Sequence, residues 1–227
     1  MSIVEELHLL LLRPDGRIES AAGAYRVFGE IAAVIVDLAL HDRVEVVDGK
    51  HPTVRVTSPE PTGDAVLDVA LARLVPLSGR RLDELLLRWK LDPLEDLVAS
   101  LVDKGVLVRG ERGLFGWRGG RTPEADAAPE RTLRARLAEV IAGSAAPTAA
   151  DLTLLTILQG LGVAHPILRE EAGGLSSKEL EKRIDELAVT TSVADDAGDA
   201  VAIAVATAAS AMVAASMSAV VIAAVVT

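Results

Sequence analysis

The sequence has no cysteine, which excludes disulfides, thiol nucleophiles and cysteine-based zinc sites. Aromatic residues are nearly absent as well: Tyr25, Phe28, Trp89, Phe115 and Trp117 are the whole set. Leucine, valine and alanine must therefore fill the core, a composition that favours closely packed helices. Any aromatic outside that core becomes informative. Positive charge is also scarce, with 23 Lys and Arg against 33 Asp and Glu and a net charge of −10. That balance argues against coating nucleic acid or anionic lipid with the whole surface, although a local basic patch remains open.

Catalytic patterns are missing too. The four histidines, His8, His41, His51 and His165, are scattered without metal-binding spacing. No P-loop occurs, no GxGxxG follows a strand, and Ser144 has no nucleophile-elbow context. The carboxylate pairs Glu5-Glu6 and Glu170-Glu171 are neighbours that point apart on a helix, so they read as solvated. No catalytic residue, metal site or cofactor is expected. Residues 1–12 carry Glu5 and Glu6 and no basic segment, so no signal peptide is read and a cytoplasmic location is expected.

What is present is a chain of 227 residues, half of them hydrophobic, which can bury a sizeable core. Residues 3–12 (IVEELHLLLL) and 24–40 predict buried helices, separated by a charged Asp15-Gly16 turn. Two short strands follow at 44–47 and 53–56. Asp64 is placed to cap a helix over 65–74. Residues 80–90 predict an amphipathic helix, and Pro93 opens another at 94–104 that stops at Gly105. A β-hairpin is expected over 106–117, then an irregular Gly/Pro-rich stretch, then helices near 130–142, 148–161 and 176–188.

The stretch 200–227 has no charge and is long enough to span a bilayer, yet it holds twelve Ala, no Leu and no Phe. It reads better as a buried core helix than as a membrane segment.

Helix, turn, helix, Gly and hairpin over 82–117 is also the order of a winged helix-turn-helix. Residues 77–121 hold nine basic and seven acidic groups. The helix that would read DNA, however, starts with Glu95 and Asp96, the wrong sign for phosphates and base edges. DNA binding is accordingly the weaker alternative and a nucleic-acid partner is not expected.

Taken together, EELHLLLL before an Asp-Gly turn, VDLALHDRVEV, PTGDAVLDVALARL and LVDKGVL with its hairpin resemble the Golgi phosphoprotein 3 family, in order and spacing over residues 3–168. The cysteine-free, Ala/Arg/Gly-rich composition suits a prokaryotic member. The resemblance implies a single mainly α domain over 1–227, built around a central buried C-terminal helix with one or two small β-hairpins. It also implies a non-enzymatic adaptor, peripheral on the inner face of a membrane, that binds a phosphoinositide-like anionic lipid or a partner protein and forms homo-oligomers through the hairpin.

The lipid pocket does not carry over. An ungapped alignment puts Ile31, Leu91 and Leu94 where the family has arginines, and a small residue near Ala22 in place of its tryptophan. Substitutes stand nearby in Tyr25, Arg26, Arg80, Arg81, Arg88, Trp89 and Lys90, which form either a different anion site or a solvated face with Trp89 half buried. The hairpin contributes Arg109, Arg112, Leu114, Phe115, Trp117 and Arg118, and its two aromatics either tuck inward or form a membrane or oligomer wedge. The third possibility is a purely structural homo-oligomer.

Overall fold

The computed structural model describes residues 1–47, 49–108, 110 and 121–191. The expected tip of the hairpin, with Arg109, Arg112, Leu114, Phe115, Trp117 and Arg118, and the expected helix at 200–227 lie outside these residues.

Nine helices and one small sheet make up the described part. Helix α1 (Ile3–Leu11) is buried on nearly every side, with only Glu6 partly exposed. It packs along α2 (Arg26–Leu40), which is preceded by a short turn of helix at Gly23–Tyr25. Strands β1 (Val44–Val47) and β2 (Thr53–Val56) pair antiparallel, with Val44 opposite Val56.

Helix α3 (Ala65–Leu74) starts at Asp64, whose Oδ1 accepts from the backbone of Val66 and Leu67 at 2.9 and 3.2 Å. This is the cap that the sequence predicts. Helix α5 (Leu94–Asp103) ends before Gly105, which takes φ +72°. Helices α6 (Ala128–Ala142), α7 (Ala149–Gly160) and α9 (Ser177–Thr191) complete the bundle, with the four-residue α8 (Ala164–Ile167) between the last two. The mainly α fold with a small β element is thus as the sequence indicated.

The structure corrects one local reading. Residues 80–90 are not one helix. Arg80 and Arg81 instead form β3, a third strand on β2 with Val54 opposite Arg80, and only Leu82–Leu86 is α-helical (α4). The two-residue strand is set by sheet hydrogen bonding that no local pattern announces: Gly79 N–H donates to the Val54 carbonyl and Leu82 N–H to that of Pro52, both at 2.8 Å.

The segment that opens the expected hairpin also pairs with a later stretch. Val108 N–H donates to the Pro123 carbonyl at 2.8 Å, Ala125 N–H to that of Val106 at 2.9 Å, and Leu107 faces Glu124. The described partner of 106–108 is 123–125; the partner expected from the sequence, 114–117, lies outside the described residues. Val106 and Leu107 are held by a small apolar cluster with Leu9, Leu12 and Leu101.

The main core runs through α1, α2, α3, α4 and α7 and is almost wholly aliphatic. Tyr25 and Phe28 are its partly buried aromatic rim, with ring centroids 6.3 Å apart.

Candidate functional site

The acidic and basic residues of the first helices are mostly engaged with one another. Glu5 is wholly buried, taking Ser100 Oγ at 2.7 Å and Lys104 Nζ at 2.6 Å. Glu6 receives Arg136, which also binds Asp151 at 2.6 Å. Glu171 is buried against Arg134 at 3.0 Å. The expectation that these carboxylates are solvated holds for Glu170, which is exposed, but fails for Glu5, Glu6 and Glu171, because each has a cation from a distant helix that sequence spacing does not reveal.

A second ionic chain runs inward to the core. His8 Nδ1 lies 2.8 Å from Glu30 Oε1, and the other Glu30 oxygen pairs with Arg26. Arg26 Nη2 donates to both oxygens of Asp92 at 3.1 and 3.0 Å. Burial opposes the charge on Arg26, but Glu30 and Asp92 outweigh it and raise its pKa, so the guanidinium is always cationic.

The proposed anion-site residues divide accordingly. Tyr25 packs on the core rim. Arg26 is committed to Glu30 and Asp92, Arg80 to Glu84 at 3.7 Å, and Arg81 to Asp83. Arg88 and Lys90 have no ion pair among the described residues. They flank Trp89, which is 68% exposed rather than half buried, and follow Leu87, which is 57% exposed.

Lys90 Nζ sits 5.9 Å from the Trp89 ring centroid, within cation–π range. The turn that carries these residues, Trp89–Leu91, joins α4 to α5. Its anchors are Leu86 and Leu91, both buried. Leu87, between Leu86 and Arg88, is the member of the patch that sequence reasoning missed. Leu82 and the three successive leucines 85–87 give no local sign of which one faces out.

The positions aligned with the family pocket are apolar and buried: Ala22, Ile31, Leu91 and Leu94 all belong to the interior. No open cationic cleft is built from them.

The family model for Golgi phosphoprotein 3 (GPP34) matches residues 3–212, most of the chain. The chain belongs to the Golgi phosphoprotein 3 family. No curated protein matches this family member.

The motifs that carried the resemblance supply residues with structural roles in this chain. EELH supplies Glu5, Glu6 and His8, each paired with a different element, while LVDKGVL supplies the Lys104 that meets Glu5. VDLALHD supplies Asp37, whose two oxygens accept Ile3 and Val4 N–H at 3.0 and 2.9 Å. PTGDAVLD supplies the Asp64 cap and an Asp68 that holds Thr62. These residues tie the helices of this chain together, and none of them forms an open site.

Among the described residues of this family member, no group of three His, Asp or Glu could hold a metal ion. No described helix is long and apolar enough to cross a membrane.

Proposed function

We propose that the protein is a non-catalytic, adaptor-type peripheral membrane protein that docks on an anionic bilayer through residues 87–90. The observation that carries this reading is the exposure of Leu87 and Trp89 within one short stretch that also holds Arg88 and Lys90, which have no ion pair among the described residues. Tryptophan favours the membrane–water boundary, and lysine and arginine stems can lie along it with their charges toward head groups. Each such charge contributes on the order of 1 kcal/mol near an anionic surface. Partial burial of one Trp and one Leu adds about 1.5–3 kcal/mol per side chain at most. The sum predicts weak, salt-sensitive and reversible association, with the net charge of −10 keeping the rest of the surface away from the bilayer.

The DNA-binding alternative is disfavoured by the start of α5, where Glu95 stands beside Asp96 and the latter is paired with Arg73 at 2.7 Å. Homo-oligomerisation through residues 106–117 remains a proposal about residues mostly outside the described part.

Co-sedimentation with phosphatidylcholine vesicles, with and without phosphatidylserine, tests the docking reading. The wild type is expected to pellet with the anionic vesicles at low salt and to be released at high salt, while Leu87→Ala/Trp89→Ala stays in solution. Absence of binding at low salt would overturn it. Full binding by the double variant would move the contact elsewhere.

A further inference from the structure

The chain His8–Glu30–Arg26–Asp92 places four ionisable side chains almost out of contact with water, running from the middle of α1 to the exposed turn. Burying ions in this way is costly, and apolar packing of the same shape would often be at least as stable. Its value therefore lies in fixing one geometry.

What it fixes is specific. The Asp92 carboxylate is held by Arg26 from 66 residues away, and its Oδ1 also accepts Leu94 N–H at 3.1 Å, at the first turn of α5. The Asp92 backbone N–H donates to the Trp89 carbonyl at 3.1 Å. One residue thus ties α2, the 87–91 turn and the start of α5 together. Leu86 closes the other end of the turn, leaving Leu87 and Trp89 pointing outward between two fixed points.

Arg26 itself cannot serve as an anion ligand here. Its two Nη atoms are taken by the carboxylates of Glu30 and Asp92.

We infer that Arg26 and Asp92 are positioning residues that present Trp89 at a fixed angle to the bilayer, acting through the turn and without touching lipid. The inference rests on the docking reading above, but it has readouts that do not need a membrane. In a Trp117→Phe background Trp89 is the sole tryptophan. Asp92→Asn removes the charge at nearly constant shape, and Arg26→Lys keeps the charge but loses the two-pronged geometry.

Both variants are expected to lower Trp89 fluorescence anisotropy in vesicle-free solution. They should also speed amide exchange over residues 87–92 by about tenfold, with α1 and α2 protected as in the wild type. On vesicles with brominated acyl chains, Trp89 quenching should fall in both variants. Quenching is the right measure because Asp92→Asn also adds to the positive charge, which by itself would strengthen adsorption. Unchanged anisotropy and exchange in both variants would overturn the inference. So would faster exchange spread evenly through α1 and α2, since that marks a general loss of stability. Failure of the wild type to bind any vesicle would instead sink the docking reading, while the solution measurements still decide the role of the clamp.

Discussion

Lys104 Nζ lies 2.6 Å from Glu5 Oε1, joining residues 99 positions apart and leaving the carboxylate with no exposure to solvent. Burial pushes the Glu5 pKa up, but hydrogen bonds from Lys104 and Ser100 outweigh it and hold the group below its ordinary value. Its stabilising effect is therefore full above the ordinary carboxylate pKa of 4.5 and fades as pH falls below it. Lys104→Met is expected to cost about 2 kcal/mol, less than for a fully buried pair because the lysine is partly exposed. Urea denaturation at pH 7 and pH 4 checks both parts, with a smaller penalty at the lower pH.

Asp37 gives a second prediction. It accepts two N–H groups that would otherwise be orphans at the start of α1. Asp37→Ala should destabilise the fold by about 2 kcal/mol. The loss should appear in thermal melts and as faster amide exchange at Ile3 and Val4. Burial pushes this carboxyl up to about 7 despite its two donors, so Asp37→Asn should be milder than the alanine variant.

Glu124 sets a pH dependence of the opposite sign to Glu5. Burial and then the neighbouring Glu130 raise its pKa to about 7, well above the ordinary 4.5. The folded state holds this proton more tightly, so stability from this group is present below pH 4.5 and is lost as pH rises through 7. Glu124→Gln should flatten the stability profile between pH 5 and 8. A slope unchanged from wild type would count against the assignment.

Gly16 is required by a close approach. It takes φ +75°, and a Cβ built there would lie 2.5 Å from the backbone of Thr122 and Pro123. Thr122 N–H donates to its carbonyl at 2.9 Å. Gly16→Ala must push the 121–125 segment away from this turn, at a cost of about 1–3 kcal/mol. Limited proteolysis should then cut faster between 106 and 125 than elsewhere.

Charge reversal tests the membrane reading from the electrostatic side. Arg88→Glu/Lys90→Glu changes the local charge by four, so affinity for phosphatidylserine vesicles should drop by at least about a hundredfold at low salt. Reversing Arg80 and Arg81, which already face Glu84 and Asp83, should have a much smaller effect.

How much of this was legible beforehand depended on the range of the interaction. Helices with long apolar periodicity, such as α2 and α3, and the local Asp64 cap could be read directly. The break in 80–90 could not, because β3 exists only through hydrogen bonds to a strand 26 residues earlier. The pairing of 106–108 with 123–125 was not legible for a similar reason, since it spans 15 or more residues and is set by backbone hydrogen bonds. For the site, basic residues around 80–90 and Trp89 could be picked out by composition. Which of them were spent on internal carboxylates was invisible, since Asp92 meets Arg26 only after the fold has closed.

The arrangement of α1 has a consequence for how the protein is made. Nine residues are too few for a stable helix in water, and Glu5, Glu6 and His8 find their partners on α5, α6 and α2. Arg136 is 130 residues downstream of Glu6. On the ribosome, then, α1 can pack on α2 early, but its set of ion pairs cannot close until α6 has emerged. This gives the chain a long-range topology in which the last contacts of its first helix are among the last to close.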